Sequence, residues 1–597
     1  MSVSRAANRS AGDEHEQHKR HQPRRKRRPS CCAECVRTGH VLKRYATVRW
    51  TCNFSTARSS IKAGFRLKAL HWRCFSALIR QMFFRMAARG LHRHSNQSQL
   101  NHPAGRRAAF FACAALLLLA CQLSAAHAQT TEARITVLST SPARVRVEGK
   151  RADATTVWSF RNVYASIIGL GERIENLKLT DASGANVSVR KLAPGEYEAA
   201  GAATNWSCEV KLDPPMPVTD AAYVSWIAGE RGFLMPGDLL PRKVDGKHAV
   251  SNQARIRLSL PANWKAVSNE TKLKELEFEV ADIEDAVFFI GPNLREKRER
   301  VGPMEFSLAT TGTWAFSDSD VMSMAVSILK NYTERIGGTT RSRAMLILAQ
   351  FPGSVSAERW SAETRGGTVL LLSGQSSSKL AGLAQLTTPL THELFHLWVP
   401  NGLALKGNYD WFYEGFTMYQ ALFASVRLGL LTFQDYLNAL ARAYDIYLGA
   451  SDRQKLSLLE ASRRRWSGAT GIVYRKGMLV AFLYDLSVRH ASKGKRTLDD
   501  VYRALFRQSN VAQIRDGNEV VLELLKSQEN MQDLVRRYVE SADEIDLAQT
   551  LSPFGLTVAR GQMRSQISVA PSLSRQQRDL LSAFGYNEQT RRGGRKS

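Results

Sequence analysis

Two histidines four residues apart, His392 and His396, enclose Glu393 in the segment Thr391-His392-Glu393-Leu394-Phe395-His396-Leu397-Trp398. On an α-helix, positions i and i+4 lie one turn apart on one face, so both imidazoles reach a single point and can share one metal ion. The helix is otherwise apolar, and burying His-Glu and His without partners is costly. Zinc takes nitrogen and oxygen ligands in a tetrahedron, and a catalytic zinc keeps one of its positions open. A third protein ligand is therefore needed, and a second helix packed on the first could carry it. Seventeen residues separate His396 from Glu414, the acid of Trp411-Phe412-Tyr413-Glu414-Gly415-Phe416, which makes Glu414 the candidate. Glu393 stands beside the histidines, within reach of a water at the metal. Beyond residue 128 the chain has only two other histidines, His248 and His490, read as surface or core residues. Phe412, Phe416 and Tyr419 share helical spacing and are expected in the core.

The net charge of +29 invites a nucleic-acid-binding reading, but residues 1–128 hold 24 of the 83 Lys and Arg and only 4 of the 54 Asp and Glu. Once that segment is set aside, the remainder has ordinary globular composition and modest charge. A length of 597 residues is ample for two to four domains. Cysteine divides in the same way: seven of the eight lie at or before Cys121, and Cys208 stands alone beyond it. The body of the protein therefore has no internal disulfide. Cys31, Cys32 and Cys35 lack a second pair at zinc-site spacing.

The leader has two parts. Arg106-Arg107, the apolar run 108–120 and Ala126-His127-Ala128 form a basic flank, a short hydrophobic core and an A-x-A site. Together they are a secretory signal peptide cut after Ala128, giving an exported, periplasmic or secreted protein. Lipoprotein processing at Cys121 is a second option. Residues 1–85 are basic and patternless, and Met86 is a natural start, so this stretch reads as an over-extended gene start.

From 129 to 300 alternating runs such as ARITVLST, ARVRVEG, ANVSVRKL, AAYVSWIAG, ARIRLSLP and LEFEVADI predict an antiparallel β-sandwich-like domain. A catalytic α+β domain is expected over 301–500, a helical part over 501–560 and a loosely ordered basic tail over 561–597. Thr388-Pro389 reads as a helix start, with Thr as cap and Pro in the first turn. Thr432 to Asp435 fits a capping box. No second long apolar run follows the leader, so no transmembrane helix is expected in the mature chain.

The segments HELFHLW, WFYEGFTMY and Val473-Tyr474-Arg475-Lys476-Gly477 resemble the glycyl aminopeptidase family of gluzincin zinc metallopeptidases. The wider likeness is to thermolysin-like and neutral zinc aminopeptidase folds. This resemblance implies a thermolysin-like catalytic domain holding one Zn2+ per chain through His392, His396 and Glu414. It also implies Glu393 as general base and proton shuttle, Tyr474 as oxyanion donor, and a peptide or protein substrate. Tyr474 shares a helical stripe with Met478 and Phe482, so a plain core role for it stays open. Family members carry a Gly-Gly-Leu-Glu-His-type element on the strand beside the metal, whose acid meets a substrate amine. The comparable strand here is read as Arg365-Gly366-Gly367-Thr368-Val369-Leu370-Leu371, without that acid, and Glu363 is the nearest. The expectation is weakened preference for free N-termini, with substrate pairing along this strand. The rival readings are an inactive peptide-binding protein on the same fold and a basic nucleic-acid-binding protein. Oligomeric state is not legible.

Overall fold

The computed structural model describes residues 131–242, 252–339, 341–509, 514–561 and 564–587, all within one compact unit. The signal peptide with its cut after Ala128, Cys121, the segment 1–85 and His248 lie outside the described residues.

Period-two alternation builds the first half as stacked sheets. The outer sheet runs in the order Thr271–Lys274, Glu277–Val280, Ala254–Ser259, Thr131–Thr140, Ala143–Ser159, Glu196–Lys211, Ile174–Thr180, Asn186–Val187. Its pairings are antiparallel except that of Thr131–Thr140 with Ala254–Ser259, which is parallel. The expected antiparallel sandwich is therefore a mixed one. The parallel strand returns after a connection of more than a hundred residues, which alternation within either strand cannot report. Four short strands, including Arg231–Leu234 and Phe288–Gly291, form a middle sheet. A third sheet has five strands in the order Arg295–Val301, Met304–Thr310, Arg343–Gln350, Thr368–Ser373, Trp360–Arg365.

Alternate side chains of each strand join alternate cores. Phe288 and Ile290 pack with Val145 and Ile256 of the outer sheet. Val287 and Phe289 face Met345, Ile347 and Leu370 of the third sheet. Leu346, Leu348, Val369 and Leu371 point the other way, into the helices. A strand buried on both faces reads as a continuous apolar run, as Thr368–Ser373 does.

Helix α1 (Asp318–Ile336) opens on a Ser317/Asp320 capping box and lies on the third sheet. Helix α2 (Lys379–Phe395) carries the His-Glu-His segment at its C-terminal end. It starts ten residues before the expected Thr388-Pro389: the Ser378 hydroxyl caps it, accepting from the Ala381 N–H, and Pro389 sits inside. The proline removes the bond to the Gln385 carbonyl. Burial of Leu386, Leu390 and Leu394 at helical spacing holds the helix through that gap.

A π-helical turn Trp411–Phe416 runs into α3 (Thr417–Arg427), and α4 (Phe433–Leu448) follows on the expected Thr432/Asp435 capping box. After α5 (Leu458–Arg463), a second π-turn, Ile472–Lys476, runs into α6 (Gly477–Ala491). Phe412, Phe416 and Tyr419 are fully buried, as their spacing predicts. His490 is half-buried against the Phe554 ring, far along α6 from the histidine pair. Residues 565–587 are not the loose tail expected. The strands Leu556–Arg560 and Ser565–Val569 form a hairpin, and the helix Arg575–Ser582 is capped. Leu580, Leu581 and Phe584 are buried, an apolar stripe that the surrounding arginines masked in the sequence. Among the described residues no helix is long and apolar enough to cross a membrane.

Candidate metal centre

The two π-turns cross at their glycines. A Cβ on Gly415 would stand 2.6 Å from the Gly477 Cα, and one on Gly477 would stand 2.8 Å from the Trp411 carbonyl oxygen. This close approach explains a glycine after Glu414 and another after Lys476. It also brings Glu414 and Tyr474 to the end of α2, where His392 and His396 wait.

Three donor atoms then form a small triangle. His392 Nε2 lies 3.1 Å from His396 Nε2, and Glu414 Oε2 lies 3.3 Å from the first and 3.6 Å from the second. Ligands about 2.0–2.1 Å from a tetrahedral zinc stand about 3.3–3.4 Å apart, so the triangle matches a zinc face. Glu414 Oε2 is buried and accepts no ordinary hydrogen bond. His396 Nδ1 lies 2.8 Å from the Val399 carbonyl. Donation by Nδ1–H fixes the tautomer that leaves Nε2 as a lone-pair donor. Glu393 also falls within 4.8 Å of the two histidines. Its Oε2, however, accepts a 2.7 Å hydrogen bond from the Thr364 hydroxyl. Glu414 is the closer third donor and Glu393 is held beside it.

Sequence reasoning missed Arg465. Its guanidinium donates to Glu414 Oε1 at 2.9 Å, to Asp410 at 3.0 Å and to the Tyr474 hydroxyl oxygen at 2.6 Å. One carboxylate oxygen of Glu414 is thereby tied to protein while the other faces the histidines. Burial works against the charged form of Glu414, but Arg465 and His396 prevail and hold it well below the usual carboxylate range. Burial opposes charge on His396 too, yet Glu414 and Glu393 push its pKa up to about 9. The carboxylates thus keep a cation at this point even when it is only a proton, which fits a divalent ion. Burial, then Glu414, raises the Tyr474 phenol well above its ordinary value, so it stays protonated. Arg465 donates to its oxygen, and the phenol's own hydrogen faces the Glu414 carboxylate. Nothing in Arg463-Arg464-Arg465-Trp466 singles out the third residue before folding.

The strand beside the centre is not the one the sequence suggested. Thr368–Ser373 is an interior strand paired on both sides, with no edge for a substrate. Trp360–Arg365 is the sheet edge, and it carries Glu363 next to Thr364. Glu363 accepts from the Tyr164 hydroxyl, which reaches across from a hairpin of the β-rich half. Ala165 and Ser166 at that hairpin's tip have φ of 47° and 69°. Such conformations cost non-glycine residues about 1–3 kcal/mol each, so the surroundings must impose them. Tyr164 is clamped between Arg161 and Arg365, 4.6 and 4.3 Å from its ring centre. Burial, reinforced by Glu393 and Glu414, lifts the Glu363 carboxyl above its ordinary value. The two histidines, Glu393, Glu414, Arg465, Tyr474 and Glu363 line one open cleft of about 1260 Å³, whose rim carries the exposed apolar side chains Val163, Ile168, Trp360, Ile446 and Trp466.

Residues 385–480 match the profile of the M61 glycyl aminopeptidase family. No curated protein matches the chain. Among solved structures, an aminopeptidase N family protein from Idiomarina loihiensis superposes with a TM-score of 0.61 at 16% identity, over 72% of this chain and 79% of that one. An M1 zinc metallopeptidase from Deinococcus radiodurans gives 0.47 at 14% identity, over 70% of this chain and 95% of that one. The fold is that of the aminopeptidase-like neighbour, a sheet-rich first half followed by a helical half. Residues 385–480, which hold every donor of the centre, resemble those of the M61 glycyl aminopeptidases, and the chain is a zinc metallopeptidase.

Proposed function

We propose that the protein is an exported aminopeptidase working with one zinc ion per chain, held by His392, His396 and Glu414. The observation that carries this reading is the triangle of donors at 3.1, 3.3 and 3.6 Å. When bound there, zinc polarises a carbonyl and makes a water acidic enough to attack near neutral pH. Glu393 takes a proton from the attacking water and hands it to the leaving nitrogen as the carbon–oxygen bond forms and the carbon–nitrogen bond breaks. The Thr364 hydroxyl holds Glu393 in place for both transfers. Tyr474 donates to the developing oxyanion, oriented by Arg465.

Edge strand Trp360–Arg365 offers unpaired backbone to an extended peptide. Glu363 on that strand is the anionic partner that a free substrate ammonium needs near the metal. Its place on the edge supports recognition of a free amine, whereas the expectation of weakened amine preference rested on the interior strand. Export rests on the leader alone. An inactive peptide-binding role is disfavoured by a base held in position beside an assembled donor set.

One peptide series assayed with free and with acetylated N-termini tests the reading, with Glu393→Gln as control. Cleavage restricted to free N-termini, and reduced by about 10²–10⁴-fold in the variant, is expected. Equal cleavage of acetylated peptides would remove the exopeptidase part. Near-normal turnover in Glu393→Gln would remove the mechanism.

A further inference from the structure

The cleft is lined by three arginines, and only one of them has work to do inside the protein. Arg465 is consumed by Glu414, Asp410 and Tyr474. Arg475 and Arg442 make no hydrogen bond or ion pair among the described residues. Arg475 follows Tyr474 in the second π-turn and is half-buried. Burial lowers its pKa, and the one titratable group that faces it is the Tyr474 phenol. Arg442 sits on α4, the helix packed directly against that π-turn. The cleft's acids are engaged elsewhere: Glu393 with Thr364, Glu363 with Tyr164, Glu414 with Arg465, Asp435 with Thr432.

Arg442 is exposed and Arg475 half-buried, on adjoining elements that line one cleft. A half-buried guanidinium forgoes part of its hydration without a compensating bond. That penalty disappears when a carboxylate enters, because the planar fork of an arginine pairs with it through two parallel hydrogen bonds. Peptides supply carboxylates from two sources, the C-terminus and acidic side chains. The edge strand with Glu363 packs on α2, whereas the π-turn with Arg475 packs on Trp411–Phe416 and α4. Amine anchor and arginines therefore stand on different walls of the cleft, with the donor triangle at its floor.

Building on the aminopeptidase reading, we propose that Arg475, with Arg442, forms a subsite for a carboxylate of the substrate's leaving part. The subsite selects short peptides with a free C-terminus, or peptides with an acidic residue beyond the cleaved bond. A long neutral peptide leaves it unfilled.

The test compares three tripeptides with the same free N-terminal residue: a C-terminal acid, its amide, and an amide with Glu in the second position. A charge-assisted hydrogen bond that replaces an unpaired cation corresponds to about a tenfold or greater gain, expected mainly in KM. The free acid should be preferred over the neutral amide by that factor, and the preference should collapse in Arg475→Gln/Arg442→Gln. Arg475→Lys should retain part of it, which a purely structural role would not explain. Preference for the Glu-bearing amide over the acid assigns the subsite to side chains, and the reverse assigns it to C-termini. Retained zinc in the variants shows that the fold has survived. Equal wild-type cleavage of all three peptides, or a preference untouched in the double variant, overturns the subsite while leaving the peptidase reading intact. Cleavage of none by the zinc-loaded protein overturns both.

Discussion

The two walls of the cleft hold their charges by different means. On the helical wall, Glu414 and Tyr474 stand on irregular π-turns and share one buried cation, Arg465. On the strand wall, Glu363 and the partner of Glu393 stand on regular β-structure, and their contacts are hydroxyls, from Tyr164 and Thr364. An arginine bonded to several groups fixes geometry and charge together. A hydroxyl orients a carboxylate without neutralising it, and at Glu363 the nearby Arg365 offsets only part of what burial does. The helical wall is therefore built to hold a metal and stabilise charge that develops during reaction, and the strand wall to receive a charge that arrives with the substrate.

Variants on each wall should separate along this line. Tyr474→Phe removes a donor that acts in the transition state, so kcat should fall by about 10²–10³-fold with KM little changed. A matching rise in KM in steady-state kinetics would move Tyr474 into substrate binding or the core. Glu363→Gln should cut kcat/KM for free N-termini by about 10²-fold, the loss expected when a desolvated ammonium loses its partner. Acetylated peptides should not share that loss. Equal effects on both peptide types would place Glu363 outside amine recognition. Arg465→Met should weaken metal affinity by about 10–100-fold, as removal of an outer hydrogen-bonding partner of a metal ligand does. Competition with a chelator measures it, and unchanged affinity would separate Arg465 from the centre.

Legibility followed distance along the chain. His392, Glu393 and His396 are readable because one helical turn brings them together, and Glu414 because a tetrahedral ion needs a third donor nearby. The structure gathers these four and Tyr474 in one cleft. Arg465 and Thr364 escaped notice because their roles exist only after the sheet edge and the π-turns have met α2. The interior strand reads as the one beside the metal because Gly366-Gly367 looks like the family element. In the structure those glycines form the turn between the two strands, and φ at Gly366 is 52°. The layered cores were readable from alternation, but the parallel pairing of the outer sheet was not. Neither was the early start of α2, because a Thr-Pro inside a long helix imitates a helix start.

The assigned centre is three side chains sharing one ion, and metal content measures that directly. After dialysis, elemental analysis of the purified protein should give about one zinc per chain, and His396→Ala and Glu414→Ala, each lacking one donor of three, should retain almost none. Full zinc retention by either variant with the fold intact would contradict the assigned centre.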